Sequence, residues 1–117
     1  MPLDRRPIEQ MVSDVGPEVF RRLAQLFETE TREAVAEMSR LLARQDWREL
    51  GRQAHSLKNS TASFGLAELA ATARLLEDAA DAGGGNEAAT QITALQAMLA
   101  DDLAELGRFR RELGGAT

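Results

Sequence analysis

Asp46-Trp47-Arg48-Glu49-Leu50-Gly51-Arg52-Gln53-Ala54-His55-Ser56-Leu57-Lys58-Asn59-Ser60-Thr61-Ala62-Ser63-Phe64-Gly65 carries the clearest helical signature in the chain. It opens as a capping box. The Asp46 side chain can accept from a free N–H of the first turn, and Glu49 can reach back to the cap. Trp47, Leu50, Ala54, Leu57, Thr61 and Phe64 then recur by threes and fours, the period of one helix face. Gly65 marks the stop. A helix with one apolar stripe needs other elements to cover it, and the flanking sequence supplies them.

Upstream, Asp4 to Val15 reads as a short helix with Ile8, Met11, Val12 and Val15 on one side. Gly16-Pro17 breaks and restarts the chain, because proline suits a first helical turn. The next stripe holds Phe20, Leu23, Phe27, Thr31, Ala34, Met38 and Leu41, widened by Leu26, Val35 and Leu42. Downstream of Gly65, Leu69, Ala73, Leu76 and Ala80 point inward. Gly83-Gly84-Gly85-Asn86 is the clearest loop, and Asn86 can cap a last helix through Ile92, Leu95, Leu99, Leu103, Leu106 and Phe109. The pattern predicts bundle helices over about 17–44, 46–63, 66–82 and 87–113. Four stripes joined by short loops predict an all-α, antiparallel, up-down-up-down four-helix bundle, with the short N-terminal helix closing one end. With 117 residues, 1–117 reads as a single domain. Apolar residues are 44% of the chain but aromatics only 4%, so the core is expected to be mainly Leu, Ala, Val and Met.

Composition also excludes functions. A net charge of −5 argues against nucleic acid, which needs a basic surface. The absence of cysteine removes disulfides and thiolate metal sites, and a single histidine leaves no metal site in prospect. No apolar run approaches the ~20 residues of a membrane span, and the N-terminus leads into no signal core. The reading is a soluble, cytoplasmic monomer with no membrane contact. The starting methionine and compact ends point to a free-standing protein.

His55 is the only histidine, with no cysteine or tyrosine to compete as a nucleophile. A free imidazole has a pKa of about 6.5, so its lone pair is available near neutrality. On a helical wheel His55 lies about 130° from the centre of the core line, on the outer face. Gly51, one turn earlier, and Ala62, two turns later, leave an open approach. Lys58 can place a positive charge near an anion on the ring. Arg52 and Asn59 lie on the other side. A nucleophile, an open approach and a nearby cation suit a phosphoryl carrier, where transfer is mostly positioning and charge neutralisation. An exposed histidine beside a solvated lysine is the simpler reading of the same residues, with Gly51 serving close helix packing. Asp101-Asp102 reads as a solvated pair.

The run Ala54-His55-Ser56-Leu57-Lys58-Asn59-Ser60, followed by Phe64-Gly65 and Leu69, resembles the histidine phosphotransfer (HPt) domain signature. That pattern is His-x-Leu-Lys-Gly with a second glycine ten residues after the histidine, where Gly65 stands. Leu76-Glu77 is similar to the Leu-Glu pair of the family's next helix, and the resemblance extends from about Pro17 to Leu113. It implies a phosphorylation site at His55 and phosphoryl charge stabilisation by Lys58. The docking face would include Gly51, Arg52, Asn59, Ala62 and Gly65. It also implies a carrier without its own kinase domain in bacterial two-component signalling. Its partners would be response-regulator receiver domains and a hybrid sensor histidine kinase. No cofactor is implied, since the receiver brings the Mg²⁺. Asn59 departs from the pattern, standing where the family most often has glycine. Three other readings remain. One is an HPt-like adaptor that binds receivers without carrying phosphate. A sensor-kinase dimerisation domain is disfavoured, because Ser56 rather than an acid follows the histidine and no proline lies beyond Pro17. An enzyme acting on a small molecule lacks a second catalytic group.

Overall fold

The computed structural model describes residues 3–115. Every regular element among them is a helix: α1 (Arg5–Val15), α2 (Pro17–Ala43), α3 (Trp47–Ser63), α4 (Ala67–Asp81) and α5 (Gly85–Gly115). Local chemistry accounts for most of the ends. Asp4 caps α1 by accepting from the Arg6 N–H at 3.1 Å. Gly16 turns the chain at φ +87°, and Pro17 opens α2.

Half of the expected capping box forms. Asp46 accepts from the Glu49 N–H at 3.3 Å. Glu49 does not reach back, because the Asp46 N–H donates to the Leu41 carbonyl and the Glu49 carboxylate pairs with Arg52. Asn86 is not a cap either. It lies inside the first turn of α5, where its carbonyl accepts from Thr90, and the chain enters the helix through glycine backbone. The Trp47 ring lies against that glycine turn. A Cβ on Gly85 would sit 3.6 Å from the indole.

The end of α3 has two jobs. Gly65 takes φ +75°, its N–H donates to Ala62, and the Leu66 N–H donates to Thr61 at 2.9 Å, closing the last turn. Gly65 also accepts from the Asp4 N–H at 2.9 Å, and a Cβ there would collide with the Asp4 carbonyl oxygen. The segment leading into α1 is therefore stitched to the end of α3 at a position only glycine can occupy.

The helices form a bundle. α3 packs most extensively on α4 and α2 on α5, with α4–α5, α2–α3 and α1–α2 contacts completing it. The buried faces of α3 and α4 hold Leu50, Ala54, Leu57, Thr61, Leu69, Ala73, Leu76 and Ala80. The Thr61 hydroxyl is satisfied by the Leu57 carbonyl at 2.7 Å. On α2 the stripe is rotated from the expected one. Ala24, Phe27 and Glu28 are buried, while Leu23 and Leu26 are 41% and 55% exposed. The helix turns its inner face toward α5, its larger partner, and this leaves the flank of the sequence stripe outside. Few aromatics does not mean none in the core. All four phenylalanines are buried, with Phe27 stacked on Phe64 at 4.3 Å and Phe20 edge-on to Phe109 at 5.7 Å.

Candidate functional site

The middle of α3 carries His55 with its side chain 53% exposed. Its Nδ1 lies 2.9 Å from Oε2 of Glu77, which comes from α4. Lys58, one turn along α3, donates from Nζ to the other Glu77 oxygen at 3.3 Å. Asn59, at i+4 from the histidine, places Nδ2 3.3 Å from His55 Nε2. One carboxylate thus holds both the ring and the ammonium, and an amide meets the ring's outer nitrogen.

Small residues make this reach possible. A Cβ on Gly51 would lie 3.7 Å from the Ala80 Cβ and 3.2 Å from an Asp81 oxygen, so Gly51 faces α4 at contact distance for a methyl. Buried Ala54, Ala73 and Ala80 keep the same interface thin. Glu77, half-buried at its edge, then lies within hydrogen-bond range of a residue 22 positions away.

The electrostatics assign the ring's proton. Partial burial pushes the Glu77 carboxyl up, but hydrogen bonds from Lys58 and His55 and their charges outweigh it, and the net shift is downward. Glu77 is therefore ionised near neutrality and can only accept. His55 must donate from Nδ1, which leaves the neutral ring's lone pair on Nε2, facing away from Glu77. Attack through Nε2 would put positive charge on a ring already paired with a carboxylate.

The remaining docking candidates divide. Arg52 and Ala62 are exposed, and Arg52 is held by Glu49 at 3.0 Å. Gly51 and Gly65 are buried and offer no docking surface, which corrects the sequence expectation. Gly51 faces α4 rather than clearing space beside the ring, and Gly65 lies under the Asp4 backbone. Asp102 is not simply solvated, since burial followed by repulsion from Glu68, Glu105 and Asp101 raises its carboxyl. Glu77 was missing from the sequence-based site. The Leu76-Glu77 pair had marked the position, but nothing in a helical period says that it faces His55. A groove between α2 and α3, lined by Phe27, Glu30, Ala34, Gln53, Ser56 and Ser60, opens next to the histidine's neighbour Ser56.

A model of the Hpt domain matches residues 22–106 of the chain. This chain belongs to the Hpt domain family. The match runs from α2 into α5 and contains His55, Lys58, Asn59 and Glu77. Comparison with curated proteins and with solved structures finds no match. Hpt domains are phosphocarrier modules of two-component signalling rather than kinases, and the HPt chain has a phosphotransfer role in that chemistry. None of its described helices is long and apolar enough to cross a membrane.

Proposed function

We propose that His55 accepts a phosphoryl group from the aspartyl phosphate of one receiver domain and passes it to the aspartate of another, as the intermediate of a multistep phosphorelay. The observation that carries this reading is the Glu77 carboxylate on His55 Nδ1, 2.9 Å away. It favours the tautomer in which Nε2 carries the lone pair and is the nucleophile.

In the step itself, the Nε2 lone pair forms the N–P bond while the P–O bond to the receiver carboxylate breaks. The electron pair leaves on that carboxylate. The Nδ1 proton stays where it is, and Glu77 balances the charge that appears on the ring. Lys58 neutralises the phosphoryl oxygens by turning from Glu77 toward them. The receiver supplies the Mg²⁺. A hybrid sensor histidine kinase is the upstream donor, and response-regulator receivers are the docking partners.

In this reading α2 to α5 run alternately up and down, and 1–117 acts as a cytoplasmic monomer in one domain. The docking face combines Arg52, Asn59 and Ala62 with the exposed α2 side chains Val19, Leu23 and Leu26, an apolar strip suited to a transient interface.

Incubation with a phosphorylated receiver and Mg²⁺ tests the proposal. Acid-labile, alkali-stable label is expected on the wild type and none on His55→Ala. Receiver binding with no label on the wild type would overturn it and assign a non-catalytic adaptor.

A further inference from the structure

We propose that Asn59 gates the phosphoryl-accepting nitrogen. Its amide covers the Nε2 lone pair in the resting protein and moves onto a phosphoryl oxygen once the group has arrived. The proposal deepens the phosphotransfer reading and rests on it for its purpose, but the contact belongs to this chain's own residues.

Donor and acceptor roles around the ring are fixed by its neighbours. With ionised Glu77 on Nδ1 at 2.9 Å, Nε2 of the neutral ring is an acceptor. The group of Asn59 placed 3.3 Å from Nε2 is Nδ2, the donor half of its amide. The opposite amide orientation would set a carbonyl lone pair against a ring lone pair. Donor and acceptor thus match only in the state in which the nucleophile is capped. Asn59 is exposed, and its side chain makes no other hydrogen bond among the described residues, so it is free to rotate away. Glycine at this position would leave Nε2 open.

Phosphorus must approach along the lone pair that the amide occupies. The amide has to leave first, and breaking one neutral hydrogen bond slows loading roughly two- to tenfold. After transfer the same N–H finds an anionic phosphoryl oxygen on the same side of the ring. A hydrogen bond to a charged acceptor is stronger than the one given up. Asn59 therefore slows loading and lengthens retention, which makes His55 a store rather than a fast relay point.

The test uses the full chain and phosphoramidate as donor, so no receiver is needed. Nε2 attacks phosphorus, the N–P bond of the donor breaks, and ammonia leaves with the electron pair. Wild type, Asn59→Ala and a His55→Ala blank are followed by ³¹P NMR during loading and after removal of the donor. The imidazole nitrogens are followed by ¹⁵N NMR in the unphosphorylated proteins. Asn59→Ala is expected to load two- to tenfold faster and to lose its phosphoryl group several-fold faster. Its Nε2 resonance is expected to move downfield as the lone pair is freed. An unchanged loading rate, an unchanged lifetime or an unmoved Nε2 resonance would each overturn the proposal. Failure of transfer from receivers, with these three changes present, would overturn the phosphorelay reading and leave the role of Asn59 standing.

Discussion

Two partners share the Glu77 carboxylate, and its removal should separate charge from hydrogen bonding. In Glu77→Gln the side-chain carbonyl can still accept from His55 Nδ1, but no charge remains for Lys58 or for the phosphorylated ring. Phosphorylation of His55 is expected to slow roughly tenfold, read from the rate of label uptake. The stability effect has a definite sign. The folded carboxyl is held below its ordinary value, so its contribution is present above the unfolded pKa of about 4.3 and is lost as pH falls through the lower folded value. Urea midpoints of wild type and Glu77→Gln should differ above the unfolded carboxyl pKa and converge as pH falls through the lower folded one. At this scale the sequence already showed His55 and Lys58, because both lie on one helix at a readable spacing. Glu77 was legible only as half of a Leu-Glu pair, since its contact crosses from α4 to α3.

The helices themselves depend on glycines that do opposite things. Gly65 holds φ +75° and meets the Asp4 carbonyl where a Cβ would sit. Gly65→Ala is expected to destabilise the protein by about 2–3 kcal/mol, lowering Tm by roughly 8–15 °C in a thermal melt. Gly51 has helical backbone and an exposed neighbour in Asp81, 3.2 Å from a new methyl, that can rotate aside. Gly51→Ala gains helix propensity of about 1 kcal/mol and should leave Tm unchanged or raise it by a few degrees. Gly65 is legible in the sequence as the end of a helix, and α3 ends at Ser63 just before it. The sequence could not show that the segment before α1 docks there, because that hydrogen bond spans more than half of the chain. The same limit explains Leu23 and Leu26. Their spacing fits an apolar stripe, but which flank of a wide stripe is buried depends on the angle at which α5 arrives.

Across the whole molecule, a long-range ion pair joins α2 to α5. Arg110 Nε donates to Glu28 Oε2 at 3.0 Å, with side chains only 19% and 10% exposed. Removing one partner strands the other where water reaches it poorly. Glu28→Ala is expected to cost about 2–3 kcal/mol by chemical denaturation. The Glu28→Ala, Arg110→Ala pair should cost less than the sum of the two single changes, because the second removal relieves the unpaired charge. Neither residue stood out in the sequence. Glu28 lies among the buried residues Ala24, Phe27 and Thr31 of α2, and its partner lies 82 positions away.

Features under local control were legible from the residue order alone. The threefold and fourfold recurrence of Leu50, Ala54, Leu57 and Thr61 made α3 a helix and put His55 off its buried face, since side-chain direction follows directly from the helical period. Lys58 and Asn59 came with it as neighbours one turn away. Packing between helices set everything that requires two elements to meet. It brought Glu77 under the ring, assigned the proton to Nδ1, buried Gly51 against α4 and Gly65 under Asp4, and turned α2 so that Leu23 and Leu26 face outward. The physical reason is the same in each case. A period fixes which residues share a face, but the packing of small side chains between helices fixes how near the faces come and which atoms touch.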